Sequence, residues 1–193
     1  IGPLLMDMNG QWLSNNFSQL YLVENGKEIN LENAKASLHY YPGLLQQELA
    51  LNGLKIEMKL IFISSRESLL NAKIINTSAR KRKLEMMWKG TALLSSAHLH
   101  KATKGLLISF SNNQHLFQIN FYGQEKNNLL INESTYQTKN IIELQPGGFF
   151  NSTQVQRYLP RPNEAVKKRL EYDFSTELKK NETRWNGYLK KYF

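Results

Sequence analysis

The sequence contains no cysteine. This absence excludes disulfide bonds, thiolate metal sites and a cysteine nucleophile. It does not fix the cellular compartment, because exported and cytosolic proteins can both do without cysteine. A glycine-rich phosphate loop and a Gly-x-Ser-x-Gly motif are missing as well, which argues against a nucleotide-binding site or a serine hydrolase of the α/β type.

Long hydrophobic runs are also missing. A membrane helix requires about 20 consecutive apolar residues, and a mean hydropathy of −0.49 predicts a globular protein that does not enter a membrane. The chain starts at Ile1-Gly2-Pro3 without an initiator methionine or a charged-then-apolar leader. It stops at Tyr192-Phe193 inside a predicted helix. We therefore expect both ends to be boundaries within a longer gene product.

Acidic residues are scarce relative to basic ones. Twenty-five Lys and Arg against 16 Asp and Glu give a formal net charge of +9, and such an excess can neutralise nucleic-acid phosphates. Apart from Arg80 to Lys83 and Lys167 to Arg169, however, the basic residues are spread along the chain. No RNA-binding motif or zinc-finger spacing accompanies them. The charge pattern predicts a solvated basic surface and no nucleic-acid partner.

Alternation of apolar and polar residues dominates the stretch from Gly43 to Leu93. After Asn52-Gly53, every second residue from Leu54 to Phe62 is apolar, as in a strand with one buried face. Asn-Gly favours a tight hairpin, so Leu44 to Leu51 is predicted to pair antiparallel with Leu54 to Ile63. Two further alternating runs surround the basic turn Arg80 to Lys83. They are Leu70, Ala72, Ile74 and Asn76, and then Leu84, Met86, Trp88, Gly90 and Ala92. The prediction is one large antiparallel meander.

The same alternation continues on both sides of this meander and indicates an antiparallel β-sandwich. The additional predicted strands are Leu20 to Val23, Ile29 to Leu31, Ala36 to Tyr41, Leu106 to Phe110, Phe117 to Phe121, Ile141 to Leu144 and Gln154 to Leu159. Met6 to Ser18 is predicted to be a loop that packs aromatic side chains on the sheet. The segments Ser95 to His98 and Gly123 to Asn128 are predicted to be loops.

Beyond Arg161-Pro162 the period of apolar residues changes from two to about 3.6. Asn163 is predicted to cap a helix that extends through Arg169, and Ser175 a second helix. Apolar residues of the second helix form one stripe, which consists of Leu178, Trp185, Leu189 and Tyr192. We therefore divide the chain into a mainly β domain, residues 1–160, and a helical linker, residues 161–193. The stripe predicts that Trp185 is a packing residue.

Few residues suggest chemistry. His98 and His100 would share one side of a strand, as two ligands of a metal do, but no third ligand is near them in the sequence. His39 and His115 stand singly in strands, where an epimerase would pair a histidine with a carboxylate. Among the tryptophans, Trp88 is in phase with the core, whereas Trp12 is a candidate for stacking on a sugar.

Four glutamates are candidates for the pair of carboxylates that a glycosidase uses. Such a pair must face a cleft at a separation of about 5 to 10 Å. The candidates are Glu48, Glu57, Glu67 and Glu85, and each lies at a solvent-facing position or at a strand end. The residues therefore predict no catalytic site, no metal and no cofactor in this chain.

Four segments together resemble a known family. They are Phe62 to Ser78, Trp88-Lys-Gly90, Ile142-Glu-Leu-Gln-Pro-Gly147 and Arg184-Trp-Asn-Gly-Tyr-Leu189. Their order is similar to that in the N-terminal domain of bacterial sugar hydrolases of glycoside hydrolase family 63, relatives of processing α-glucosidases. The resemblance implies a β-supersandwich whose terminal helix leads into an (α/α)6 barrel that holds the catalytic acid and base.

The resemblance also implies a function. We expect a non-catalytic domain that supports its own C-terminal catalytic domain and takes part in binding the carbohydrate substrate of the parent enzyme. A periplasmic or secreted location is expected on the same grounds. The alternative is an autonomous carbohydrate-binding module. An amphipathic helix at the end of the chain favours the first function, since a module has no need of one.

Overall fold

The computed structural model describes residues 4–5, 12–111, 113–123, 129–161, 163 and 172–192, and the side chains of residues 4, 5, 12, 13, 113 and 192 are outside this description. Nearly all regular structure in these residues is β. The strands are β1 (Leu4–Leu5), β2 (Trp12–Ser14), β3 (Gln19–Glu24), β4 (Lys27–Glu28), β5 (Lys35–Tyr41), β6 (Leu44–Leu51), β7 (Leu54–Ser64), β8 (Glu67–Asn76), β9 (Arg82–Thr91), β10 (Ala97–Ala102), β11 (Gly105–Phe110), β12 (Asn113–Tyr122), β13 (Leu130–Asn132), β14 (Thr135–Gln137), β15 (Asn140–Leu144) and β16 (Phe149–Leu159). One α-helix, α1 (Phe174–Tyr192), follows them.

The strands form two main antiparallel sheets, as the alternation predicted. The large sheet has eight strands in the order β10-β11-β12-β16-β8-β7-β6-β5. The small sheet has the order β13-β14-β9-β3-β4, and β15 shares one side of β9 with β14. β1 and β2 pair separately. A mainly β sandwich with a C-terminal helix is therefore confirmed.

The predicted hairpin at Asn52-Gly53 is confirmed. β6 and β7 pair in register from Leu51 opposite Leu54 to Leu44 opposite Ile61. Asn52 and Gly53 have φ values of +46° and +73°, the conformation that a two-residue turn with the twist of the flanking strands requires.

The predicted single meander is wrong at its fourth strand. β5 to β8 are consecutive neighbours, but β8 pairs next with β16, and β9 crosses to the small sheet beside β3. An ion pair joins the start of β9 to the small sheet. Arg82 is the first residue of β9, is only 3% exposed, and donates two hydrogen bonds to Glu24 of β3 at 2.8 and 2.6 Å. Alternation assigns faces to residues, but it does not identify the neighbouring strand.

The main core lies between the facing surfaces of the two sheets. Trp88 of the small sheet is 1% exposed, and its indole Nε1 donates to Ser152 Oγ of the large sheet at 3.1 Å. Phe17, from the predicted aromatic loop, is buried in the same core. Its carbonyl oxygen accepts a hydrogen bond from the Tyr136 hydroxyl at 2.8 Å.

A second, smaller cluster covers the opposite, outer face of the large sheet. It consists of Ile61, Leu69 and Val155, against which Tyr172, Phe174 and Leu178 pack. α1 therefore lies on the sandwich rather than apart from it.

The helix begins two residues earlier than the sequence predicted. Asp173, not Ser175, is the capping residue, because its Oδ1 accepts hydrogen bonds from the Thr176 backbone N–H at 2.8 Å and from the Ser175 hydroxyl at 2.7 Å. Hydrogen bonds from the Thr176 hydroxyl, the Ser175 hydroxyl and the Thr176 backbone N–H hold the pKa of Asp173 below its usual value. The predicted helix from Asn163 to Arg169 lies almost wholly outside the described residues.

Three shorter predictions differ from the structure. Leu31–Asn33 forms a 3-10 turn capped by Asn30 instead of continuing a strand. The predicted loop around His98 is part of strand β10. The hairpin of β13 and β14 was missed because its strands have only three residues each. The predicted Gly123 to Asn128 loop falls mostly outside the described residues.

Candidate functional site

The histidine pair lies on the exposed side of β10, at one edge of the large sheet. His98 Nε2 hydrogen-bonds to Ser111 Oγ at 2.6 Å, and His100 Nε2 to Ser109 Oγ at 2.8 Å. Each ring is thus held by a serine of the neighbouring segment. In the described part of the chain, no three His, Cys, Asp or Glu side chains are grouped as metal ligands.

His39 and His115 do not share a site. His39 is on β5 and stacks on Tyr41 with ring centroids 6.2 Å apart. His115 is on β12 and hydrogen-bonds through Nδ1 to the hydroxyl of Tyr158. Four strands separate β5 from β12 in the large sheet, so the two imidazoles cannot act on one substrate group.

The four candidate glutamates of a glycosidase pair all form ion pairs with Lys or Arg. Lys55 Nζ lies 3.2 Å from Glu48 and 2.7 Å from Glu57. The other two pairs are Glu67 with Arg157 and Glu85 with Lys139, each at 2.7 Å. Hydrogen bonding from Lys55 lowers the pKa of Glu48. A glycosidase acid needs a raised pKa instead.

The indole of Trp185 packs against the β5–β6 turn. Gly43 in this turn has a φ of +73°, and a Cβ atom at that position would lie 1.9 Å from Trp185 Nε1. The turn therefore needs glycine for its backbone conformation and for the indole that lies against it. The predicted packing role of Trp185 is consistent with this contact, although the residue is half-buried rather than fully enclosed.

Two polar contacts fix α1 at the same place. Asn181 is 3% exposed, and its Nδ2 donates to the Gly43 carbonyl at 2.9 Å. Arg184 Nη2 donates to the carbonyl of Phe62, at the end of β7, at 2.8 Å. Asn181 Oδ1 accepts a further hydrogen bond from Arg184 at 2.6 Å. The helix is therefore held by backbone acceptors of the β5–β6 turn and of β7, in addition to its apolar stripe.

An apolar cavity of about 370 Å³ opens between the sheets, where the small sheet ends and the inner face of β5, β6 and β7 continues. Leucines supply most of its wall, together with Met58 and Trp88. The leucines are Leu20, Leu31, Leu38, Leu45, Leu49, Leu60 and Leu70. The polar side chains at the cavity include Gln47 and Glu32. This lining suits an apolar group better than a sugar.

Exposed apolar residues continue from the mouth of the cavity to the corner of the large sheet. Leu38, Tyr40 and Phe62 are 55%, 77% and 56% exposed. The strand register places Tyr40 beside Leu45 and Leu45 beside Leu60 on the inner face. We call Leu38, Tyr40, Leu45, Leu60 and Phe62 the corner patch. Sequence analysis missed it, because alternation does not show which strand stands at the sheet edge.

The sequence comparison with protein families decides the relationship. The family model described as "Glucosidase YgjK, N-terminal" matches residues 2–140. The chain belongs to this family. It is thus an N-terminal domain of a glucosidase-like, sugar-active enzyme family. A search of curated protein sequences gave no match.

Solved structures share the fold of this glucosidase N-terminal domain. A putative kojibiose phosphorylase from human microbiome aligns with a TM-score of 0.67 at 12% identity, over 91% of this chain and 28% of its own. Heparan sulfate lyase HepC from Pedobacter heparinus aligns with a TM-score of 0.52 at 10% identity, over 72% of this chain and 24% of that one. A putative aldose 1-epimerase from Escherichia coli K12 aligns with a TM-score of 0.51 at 9% identity, over 76% of this chain and 81% of its own.

These identities establish a shared fold and nothing more. The chain spans little more than a quarter of the length of the kojibiose phosphorylase. In the part of the chain that the structure describes, no helix is long and apolar enough to cross a membrane.

Proposed function

We propose that this chain is the non-catalytic N-terminal β-sandwich domain of a glycoside hydrolase family 63 enzyme that cleaves α-glucosides. In this proposal, residues 1–160 form the sandwich and residues 161–193 link it to an (α/α)6 catalytic domain. The observation that supports this proposal is the position in which α1 is bound to the sandwich. A helix fixed by Trp185, Asn181 and Arg184 onto the β5–β6 turn and β7 gives a following domain a defined starting position.

The ion pairs of four glutamates support a non-catalytic role. Hydrolysis requires an acid that protonates the leaving oxygen and a base that activates water, about 5 to 10 Å apart. Each of Glu48, Glu57, Glu67 and Glu85 instead lies 2.7 to 3.2 Å from the nitrogen of a Lys or Arg. For Glu48, hydrogen bonding from Lys55 lowers the pKa, whereas a glycosidase acid needs a raised pKa.

The experiment compares residues 1–193 with the protein extended beyond Phe193. Both are incubated with p-nitrophenyl α-glucoside and with α-linked glucose disaccharides. We expect turnover by the extended protein only. Turnover by residues 1–193 that is lost when a single Asp or Glu is replaced would overturn the proposal.

Calorimetric titration of residues 1–193 with the same disaccharides tests the alternative. We expect no saturable binding by the isolated domain. Saturable binding by residues 1–193, with no hydrolysis by the extended protein, would favour an autonomous carbohydrate-binding module instead.

A further inference from the structure

The corner patch is an exposed apolar surface of the large sheet. Leu45 and Leu60 line the cavity at its inner end, and Leu38, Tyr40 and Phe62 are each more than half exposed. Contiguous exposed apolar surface of this kind marks an interaction site in a soluble protein. The patch therefore calls for a partner whose surface is apolar.

The edge strand β5, which carries part of this patch, also needs a covering partner. β5 is the last strand of the large sheet, and all seven of its residues are exposed. Its sequence, Lys35 to Tyr41, has no proline and one lysine. Proteins normally protect a sheet edge with short strands, charges, proline or a covering element. Within the described residues β5 has little of this protection on its outer side.

α1 ends at the corner where the patch and the edge strand meet. Its first turns pack near Ile61, Leu69 and Val155, on the central strands of the outer face. Farther along, Trp185 lies against Gly43 in the β5–β6 turn, and Leu189 lines a groove with Tyr41 and Pro42. The C-terminal half of α1 therefore lies beside the β5–β6 turn, on the outer face of the corner whose inner face carries the patch.

We propose that the corner patch and β5 are the surface against which the domain following α1 packs, and that apolar side chains of that domain enter the cavity of about 370 Å³. This inference rests on the proposed function, since it takes the following domain as the occupant. The apolar wall of the cavity and the position of α1 favour that occupant over a sugar. The large part of the kojibiose phosphorylase that this chain does not span is consistent with a further domain.

Thiol labelling tests the proposal directly, because residues 1–193 contain no cysteine. Tyr40→Cys and Phe62→Cys place a thiol in the corner patch. Ile141→Cys is the matched control, since Ile141 lies in the small sheet and is 56% exposed, as Phe62 is. Each variant is reacted with a maleimide in residues 1–193 and in the extended protein, and the rate at the introduced position is measured by peptide mass spectrometry.

We expect labelling at positions 40 and 62 to slow by about tenfold or more in the extended protein, because a thiol in an interface reacts only when the interface opens. The rate at position 141 should not change. Equal rates at 40 and 62 in both proteins would overturn the proposal. Protection that already appears in residues 1–193 and grows with concentration would overturn it as well, because the occupant would then be a second copy.

Amide hydrogen exchange of β5 in the wild-type chain provides a measurement free of substitutions. Slower exchange of Lys35–Tyr41 in the extended protein is expected, and unchanged exchange contradicts the proposal. Hydrolytic activity is assayed on the same preparation. An active enzyme with an unprotected patch refutes the docking surface alone, whereas a protected patch in an inactive protein refutes the proposed glucosidase alone.

Discussion

Gly43→Ala should release α1 from the sandwich. Gly43 has a φ of +73°, and the new methyl group would lie 1.9 Å from Nε1 and 2.1 Å from Cδ1 of Trp185. Those distances are far below van der Waals contact, so the indole must leave its seat. Gly26→Ala is a matched control. Gly26 has a φ of +75° in another turn, and no atom lies within 4 Å of its hypothetical Cβ.

The expected costs differ because only one of the two glycines touches Trp185. Alanine at a left-handed φ costs about 1–2 kcal/mol at either position. A fully buried Trp is worth about 3–5 kcal/mol relative to Ala, and about half of that applies to the half-buried Trp185. Displacing the turn also weakens the bond from Asn181 to the Gly43 carbonyl, about 1 kcal/mol. Gly43→Ala should therefore cost about 3–5 kcal/mol, and Gly26→Ala about 1–2.

Urea unfolding of four proteins measures the coupling: wild type, Gly43→Ala, Trp185→Ala and the double variant. In the Trp185→Ala background, Gly43→Ala should cost only as much as Gly26→Ala does in the wild type, since the clash no longer exists. Hydrogen exchange should show that α1 amides, rather than those of the sandwich, lose protection in Gly43→Ala. An equal cost with and without Trp185 would show that the indole does not depend on this turn.

Two further predictions concern the small sheet. Tyr136→Phe keeps the ring but removes the hydroxyl that donates to the buried Phe17 carbonyl. It should lower the free energy of unfolding by about 1–3 kcal/mol without changing the urea m-value. An unchanged urea midpoint would contradict the assigned hydrogen bond. Hydrogen bonding from Arg82 lowers the pKa of Glu24 from its usual 4.5, so this stabilisation is present above pH 4.5 and is lost as the pH falls below it. Thermal melts of Glu24→Gln should therefore depend less on pH below 4.5 than those of the wild type, and identical acid profiles would exclude this contribution.

Local patterns were sufficient for the central strands β6, β7 and β8 of the large sheet. Apolar and polar residues alternate from Leu54 to Leu60 and from Leu70 to Ile74, and turn residues bound the strands, so their faces and the β6–β7 register followed from the sequence. Leu54, Ile56, Ala72 and Ile74 are all buried on the predicted side. The prediction that Trp88 belongs to the core is confirmed for the same reason.

Contacts between distant parts of the chain were not predictable in this way. The transfer of β9 to the small sheet brings Arg82 onto Glu24, a pair of residues 58 positions apart. The position of Trp185 depends on its contact with Gly43 in the β5–β6 turn, which is distant from it in the sequence. The cap at Asp173 was predicted two residues too late because Ser175 and Asp173 are both good capping residues, and only their geometry distinguishes them.

The sequence of β7 carries a local signal for the position of α1. Leu60-Ile61-Phe62-Ile63 is a continuous apolar run within an alternating strand, which is typical of a strand that is covered on both faces. Leu60 faces the second sheet, whereas Ile61 faces α1. A sheet that is apolar on both faces cannot leave either in water without losing about 25 cal/mol for each Å² of apolar surface. The helix therefore covers the second apolar face of the large sheet.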